Sequence, residues 1–114
     1  MASTIDEITV NYEEDGLLKV KELAKEVLTR GAWTTIMFRF QDWDAKNNKY
    51  GPVKYSIRRY QKKNDTYRQQ SKFNISNNKQ ADQICTILQN WIKESADQGR
   101  SSSVTTISTG AMTP

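Results

Sequence analysis

The chain has 114 residues, 17 Lys or Arg against 13 Asp or Glu for a formal charge of +4, one cysteine and no histidine. That length suits a single domain with one modest core. The lone thiol excludes an internal disulfide or a thiolate metal cluster within one chain, and the absence of histidine excludes imidazole chemistry. No apolar run approaches the roughly 20 residues needed to span a bilayer, and the N-terminus lacks a basic start followed by an apolar stretch, so a cytoplasmic protein without membrane contact is expected.

Ile5 to Tyr12 alternates as a short strand, and Glu13-Glu14-Asp15-Gly16 ends it with a turn. From Leu17 to Thr29 the apolar residues Leu17, Val20, Ala24, Val27 and Leu28 fit helical spacing, with Arg30-Gly31 as a C-terminal stop. A strand with Leu18, Val20, Ala24 and Leu28 on one side is the alternative, but Glu22 and Glu26 interrupt that side. Trp33 to Trp43 is a strand, with Ile36, Phe38 and Phe40 inward and Trp33, Met37, Arg39 and Trp43 outward. Asp44 to Pro52 is a polar connection. Val53 to Lys62 is a second strand, Lys63-Asn64-Asp65-Thr66 a tight turn, and Tyr67 to Ser76 a third strand with Phe73 and Ile75 inward.

Ser76 or Asn77 then caps a helix running to Lys93, whose apolar stripe of Ala81, Ile84, Cys85, Leu88, Trp91 and Ile92 is expected to cover the inward face of the sheet and to bury Cys85. From Ser95 onward small polar residues dominate without periodicity. The expected organisation is one nucleic-acid-binding domain over 1–94 and a disordered tail over 95–114. Its fold class is α+β: a four-stranded antiparallel sheet backed by a C-terminal helix, with a possible additional N-terminal helix.

Charge is concentrated in the middle of the chain. Between Arg39 and Lys72 there are ten Lys or Arg and three acids, a surplus of seven positive charges against +4 for the whole chain. Along Val53 to Lys62, the residues Lys54, Ser56, Arg58, Tyr60 and Lys62 share one side of an extended segment, and Val53, Tyr55, Ile57 and Arg59 share the other. If the apolar side faces the core, the outward face carries Trp33, Met37, Arg39, Trp43, Lys54, Arg58, Tyr60, Lys62, Arg68 and Lys72. Cations neutralise phosphates while flat rings stack on unpaired bases, so this mixture points to single-stranded DNA or RNA. Antiparallel sheets also carry Lys and Arg on an ordinary wet face, but exposed rings and thioethers of this size usually meet something. A protein partner docking on the aromatic face is the other functional reading.

Enzyme chemistry has little support. None of the five glycines forms a phosphate-cradling loop, and Ser71 and Ser76 lack a basic partner at a diagnostic spacing. Asp42 and Asp44 share a strand face as metal ligands would, but an Asp-rich entry to a turn is much the commoner arrangement. Neither catalysis nor a cofactor is expected.

The run Val53-Lys54-Tyr55-Ser56-Ile57-Arg58-Arg59-Tyr60, followed after a turn by Ser71-Lys72-Phe73-Asn74-Ile75-Ser76 and a helix, resembles the transcriptional coactivator family named for positive cofactor four, and more closely its small bacterial relatives. Gly31-Ala32-Trp33 resembles a Gly-Trp that opens an earlier strand in those relatives. The resemblance covers roughly residues 31 to 92. It implies four antiparallel strands followed by one helix, a homodimer formed through the helix and sheet ends, single-stranded DNA binding on the curved outer sheet face, and a role in transcription or DNA maintenance. At matching positions it implies that Arg58 and Lys72 touch DNA and that Trp33 sits near the channel. Phe73 stands where the family has glycine, and the family would make Leu17 to Thr29 its first strand.

Overall fold

The computed structural model describes residues 2–101, with side chains described to residue 96. The chain divides after Asn78 into a unit that holds the sheet and a unit that holds the helix. In chain order the elements are a 3₁₀ turn (Ile5–Glu7), β1 (Tyr12–Glu14), β2 (Leu17–Thr29), β3 (Trp33–Asp44), β4 (Lys49–Tyr50), β5 (Lys54–Lys63), β6 (Thr66–Ile75) and α1 (Asn78–Ser101). The strands run β1-β2-β3-β5-β6 with every pairing antiparallel, β4 adding only a two-residue pairing to the end of β3, and the sheet curls into a half-barrel.

The α+β class with an antiparallel sheet and a C-terminal helix is thus observed, but the sheet is not four-stranded: two short strands join the four long ones, and no additional N-terminal α-helix is present among the described residues. The segment over 17–29 is a strand and not a helix. Its register against β3 shifts between Glu22 and Ala24 and again between Val27 and Thr29, so each bulge inserts one residue and reverses the alternation. Val20, Glu22, Lys25 and Val27 consequently lie opposite the even-numbered β3 residues Asp42, Phe40, Phe38 and Ile36. A spacing of two, three and two imitates a helical stripe.

Two-residue turns join β1 to β2 and β5 to β6. Asp15 and Gly16 have φ of 54° and 78°, and Asn64 and Asp65 have φ of 52° and 61°, the left-handed pairs that match strand twist in a hairpin. Gly31, expected to stop a helix, turns β2 into β3 at φ 125°, a conformation that side chains disfavour. The polar connection after β3 is itself a small hairpin. Asp44 accepts from the backbone N–H groups of Lys46 (3.0 Å) and Asn47 (3.2 Å) and from Asn47 Nδ2 (2.7 Å). Those bonds hold the Asp44 carboxyl below its ordinary range, the Asn47 side chain being the largest cause.

The core consists of Ile8, Val10, Ile36, Phe38, Phe40 and Tyr60, with Ala2, Ile5, Val20, Val27 and Tyr67 packed against it. Ile8 and Val10 come from the segment before β1, which is not the strand expected over 5–12 but a strap across the inner face. At one end Ala2 bridges Tyr67, whose N–H donates to the Ala2 carbonyl at 2.8 Å. Farther along, Lys25 Nζ donates to the carbonyls of Ile5 (2.7 Å), Asp6 (3.3 Å) and Ile8 (2.7 Å). At the other end Glu22 accepts from the Thr9 hydroxyl (2.6 Å) and the Val10 N–H (3.4 Å), and its own N–H donates to Asn11 Oδ1 (2.7 Å). The turn inside the strap is fixed by Glu7, whose carboxylate accepts from Ser3 and Thr4 at 2.9 to 3.1 Å.

Within the sheet unit, the layer over the inward face that is expected of the C-terminal helix includes Ile8 and Val10 of the strap. Of the expected helical stripe, Ala81 and Ile84 are half-buried, whereas Cys85, Leu88, Trp91 and Ile92 are exposed. The helix also continues to Ser101, so residues 95–101 of the expected tail are helical; residues 102–114 lie outside those described.

Candidate nucleic-acid interface

Strand register decides which residues share a face. Phe38 lies opposite Ser56 and Ile36 opposite Arg58, so the even-numbered side of β5 faces the same way as the core residues of β3. The odd-numbered residues pair separately: Trp33 with Gln61, Thr35 with Arg59, Met37 with Ile57 and Arg39 with Tyr55. The ten residues expected on one outward face are thereby split. Trp33, Met37, Arg39, Trp43 and Arg68 lie on the outer face, and Lys54, Arg58, Tyr60, Lys62 and Lys72 lie on the inner one. The reason is the period of two: displacing one strand's pairing by a single residue exchanges its faces, and β5 is amphipathic in both phases. Ser56 is small enough to sit fully buried against Phe38, while Tyr55 and Ile57 stay half-exposed outside.

On the inner face the polar residues are tied to one another. Ser56 Oγ donates to Asn74 Oδ1 (2.7 Å) and accepts from Arg58 Nε (3.0 Å), and Arg58 Nη1 reaches Gln69 Oε1 (3.3 Å). Lys54 pairs with Asp42 at 2.9 Å, which settles the Asp42 carboxylate as an ion-pair partner. Lys62 lies 5.4 Å from the centre of the Tyr67 ring. Tyr60 is 6% exposed, inside the core, and burial pushes its phenol above the usual tyrosine range. It has no surface to offer a base.

The outer face is built in cross-strand rows. Met37, Ile57 and Phe73 form the central row over β3, β5 and β6. Arg39, Tyr55 and Ile75 form the row on one side of it, and Thr35, Arg59 and Ser71 the row on the other. Beyond these, Trp33, Gln61 and Arg68 align. The Arg59 guanidinium stacks 4.5 Å from the centre of the Trp33 ring. At the far end, Trp43 meets Tyr50 edge to face at 5.1 Å, and Lys21 lies 4.9 Å over the Tyr50 ring. Trp33 is 41% exposed and Phe73, expected to point inward, is 53% exposed. Facing Met37 from β2, Glu26 is the one acid among these rows.

Register thus recruits residues that sequence reasoning placed on the buried side, Tyr55, Ile57, Arg59 and Phe73, and adds at the margin Tyr50 and Lys21, which that reasoning placed on neither face. One signal for this was present in the sequence. Arg58 and Arg59 are adjacent in a strand, so either phase puts an arginine on each face.

No protein-family model, curated protein or solved structure matches this chain. Among the described residues no group of His, Cys, Asp or Glu could hold a metal ion, and no helix is long and apolar enough to cross a membrane.

Proposed function

We propose that the outer face of the half-barrel binds single-stranded nucleic acid with little sequence preference. The observation that carries this reading is the stacked Trp33–Arg59 pair beside the Met37–Ile57–Phe73 row, in which Phe73 is exposed and Met37 and Ile57 are half-buried, with Arg39 and Arg68 on the same face. Exposed rings offer stacking worth about 1–3 kcal/mol per base, and the arginines offer two parallel hydrogen bonds to a phosphate. A duplex presents no unpaired base to such a surface. The strand pattern of four long antiparallel strands followed by a helix also accords with the resemblance to the positive cofactor four family, whose members bind single strands as dimers. In the same reading this protein acts as a homodimer and not as an enzyme, and the exposed Ile87, Leu88, Trp91 and Ile92 of α1 supply an apolar contact for the second copy.

The test is a titration with oligo-dT and with duplex DNA, following tryptophan fluorescence at two salt concentrations. Quenching by oligo-dT beyond that by duplex, weakened by salt, is the expected result. Arg59→Gln should lower the salt slope by about 0.7 for one lost phosphate contact, and Trp33→Ala should weaken binding with little change in slope. No response to either nucleic acid would leave a protein-interaction surface as the reading.

A further inference from the structure

We propose that a bound single strand does not stay on the outer face but wraps around the free edge of β6 and returns along the inner face to Arg58 and Lys72. This rests on the nucleic-acid reading above and adds a path to it.

The observation is how β6 is exposed. It ends the sheet order, with β5 on one side and, on the other, only the bridge from Ala2 to Tyr67 among the described residues. From Arg68 through Asn74 every residue is exposed. Its cations alternate between faces, Arg68 pairing with the outer Gln61 and Lys72 with the inner Arg58. That second pairing sets two positive charges directly opposite each other, an arrangement that destabilises a sheet unless something neutralises it. Neither side chain has an ion-pair partner among the described residues. The Arg58 side chain bonds to the neutral Ser56, Gln69 and Tyr60, and the one ion pair among the described residues belongs to Lys54 and Asp42. An anion is the missing partner, and a phosphodiester already seated on the outer rows is the nearest source. From β3 to β6 is two strand spacings, about 10 Å, so a strand crossing the rows reaches the edge within a few nucleotides.

The experiment compares oligo-dT of about 4 and about 12 nucleotides, lengths that bracket single-strand site sizes on small β domains. For the unaltered protein, the longer oligomer should show a salt slope steeper by about 1.4, two further contacts at about 0.7 each. In the double variant Arg58→Gln, Lys72→Gln that increment should vanish while the short oligomer binds as before. Should Arg58→Gln disturb the fold, Lys72→Gln alone alters an exposed side chain and should remove about half the increment. Equal sensitivity of both lengths to these substitutions, or sensitivity of neither, overturns the wrapped path while leaving outer-face binding intact. Failure of the unaltered protein to bind either length overturns both proposals.

Discussion

Lys25 is the fastening of the strap, and Lys25→Met is the substitution that isolates it. Methionine keeps an unbranched stem but removes the ammonium that donates to the carbonyls of Ile5, Asp6 and Ile8. Two of those bonds are part-buried and 2.7 Å long, and the third is exposed and longer at 3.3 Å. Hydrogen bonds to a charged group contribute about 1.5–3 kcal/mol each when shielded and little when wet, so the two short ones set the loss at about 3 kcal/mol. A domain of this size has a total stability of roughly 5–15 kcal/mol, so the loss is large. With a urea slope of about 1.5 kcal/mol/M, the midpoint of unfolding should fall by about 2 M. The core should loosen with it, because Ile8 and Val10, 4% and 6% exposed, are held in place by the same strap. Urea unfolding followed by circular dichroism reads the midpoint, with Lys25→Arg as a variant that retains the charge. A midpoint unchanged within a few tenths of a molar would refute the assignment of the strap as a structural part of the core.

Asp65→Gly should raise stability by about 0.5–1 kcal/mol, since a residue at φ 61° gains from losing its Cβ; a lower melting temperature would contradict it. The Glu7 carboxyl is held below its ordinary value of 4.5, first by the Ser3 N–H, so its contribution is present above pH 4.5 and is lost as pH falls through the depressed folded value. Unaltered protein should therefore lose its advantage over Glu7→Gln in acid, and a constant difference down to pH 2 would argue against the bonds. Ile36 is fully buried, and Ile36→Ala should cost about 2–5 kcal/mol in denaturant unfolding. Cys85 is exposed and should react with a thiol reagent in native buffer as fast as in denaturant.

How far the sequence discloses this molecule depends on the strand. Trp33 to Asp44 is legible because its even-numbered residues Thr34, Ile36, Phe38 and Phe40 are all buried and its alternation is unbroken. Leu17 to Thr29 is not, because two bulges break its period and leave charged Glu22 and Lys25 beside the core to receive the strap. The buried side of β5 was hidden for a different reason. Its residues Ser56 and Tyr60 are buried through partners far along the chain, while Tyr55 and Ile57 look more apolar yet remain outside. Only pairing with β3 decides between the two phases, and pairing is a tertiary fact. The strap could be read as the alternating Ile8 and Val10, but not as the layer that covers the sheet. A basic, aromatic surface was therefore legible in composition, while its membership was not: half the expected residues lie on it, and Arg59 and Phe73 replace others.

The central claim is that the outer rows are the seat of the nucleic acid. Its most direct test is to titrate isotope-labelled protein with oligo-dT and map the shifted resonances. The expected set is the Trp33 indole, the Met37 and Ile57 methyl groups and the Phe73 ring, with the Ile36 methyl groups in the core unmoved. Shifts confined to Leu88, Trp91 and Ile92 of the helix, or none at saturating oligomer, would contradict it.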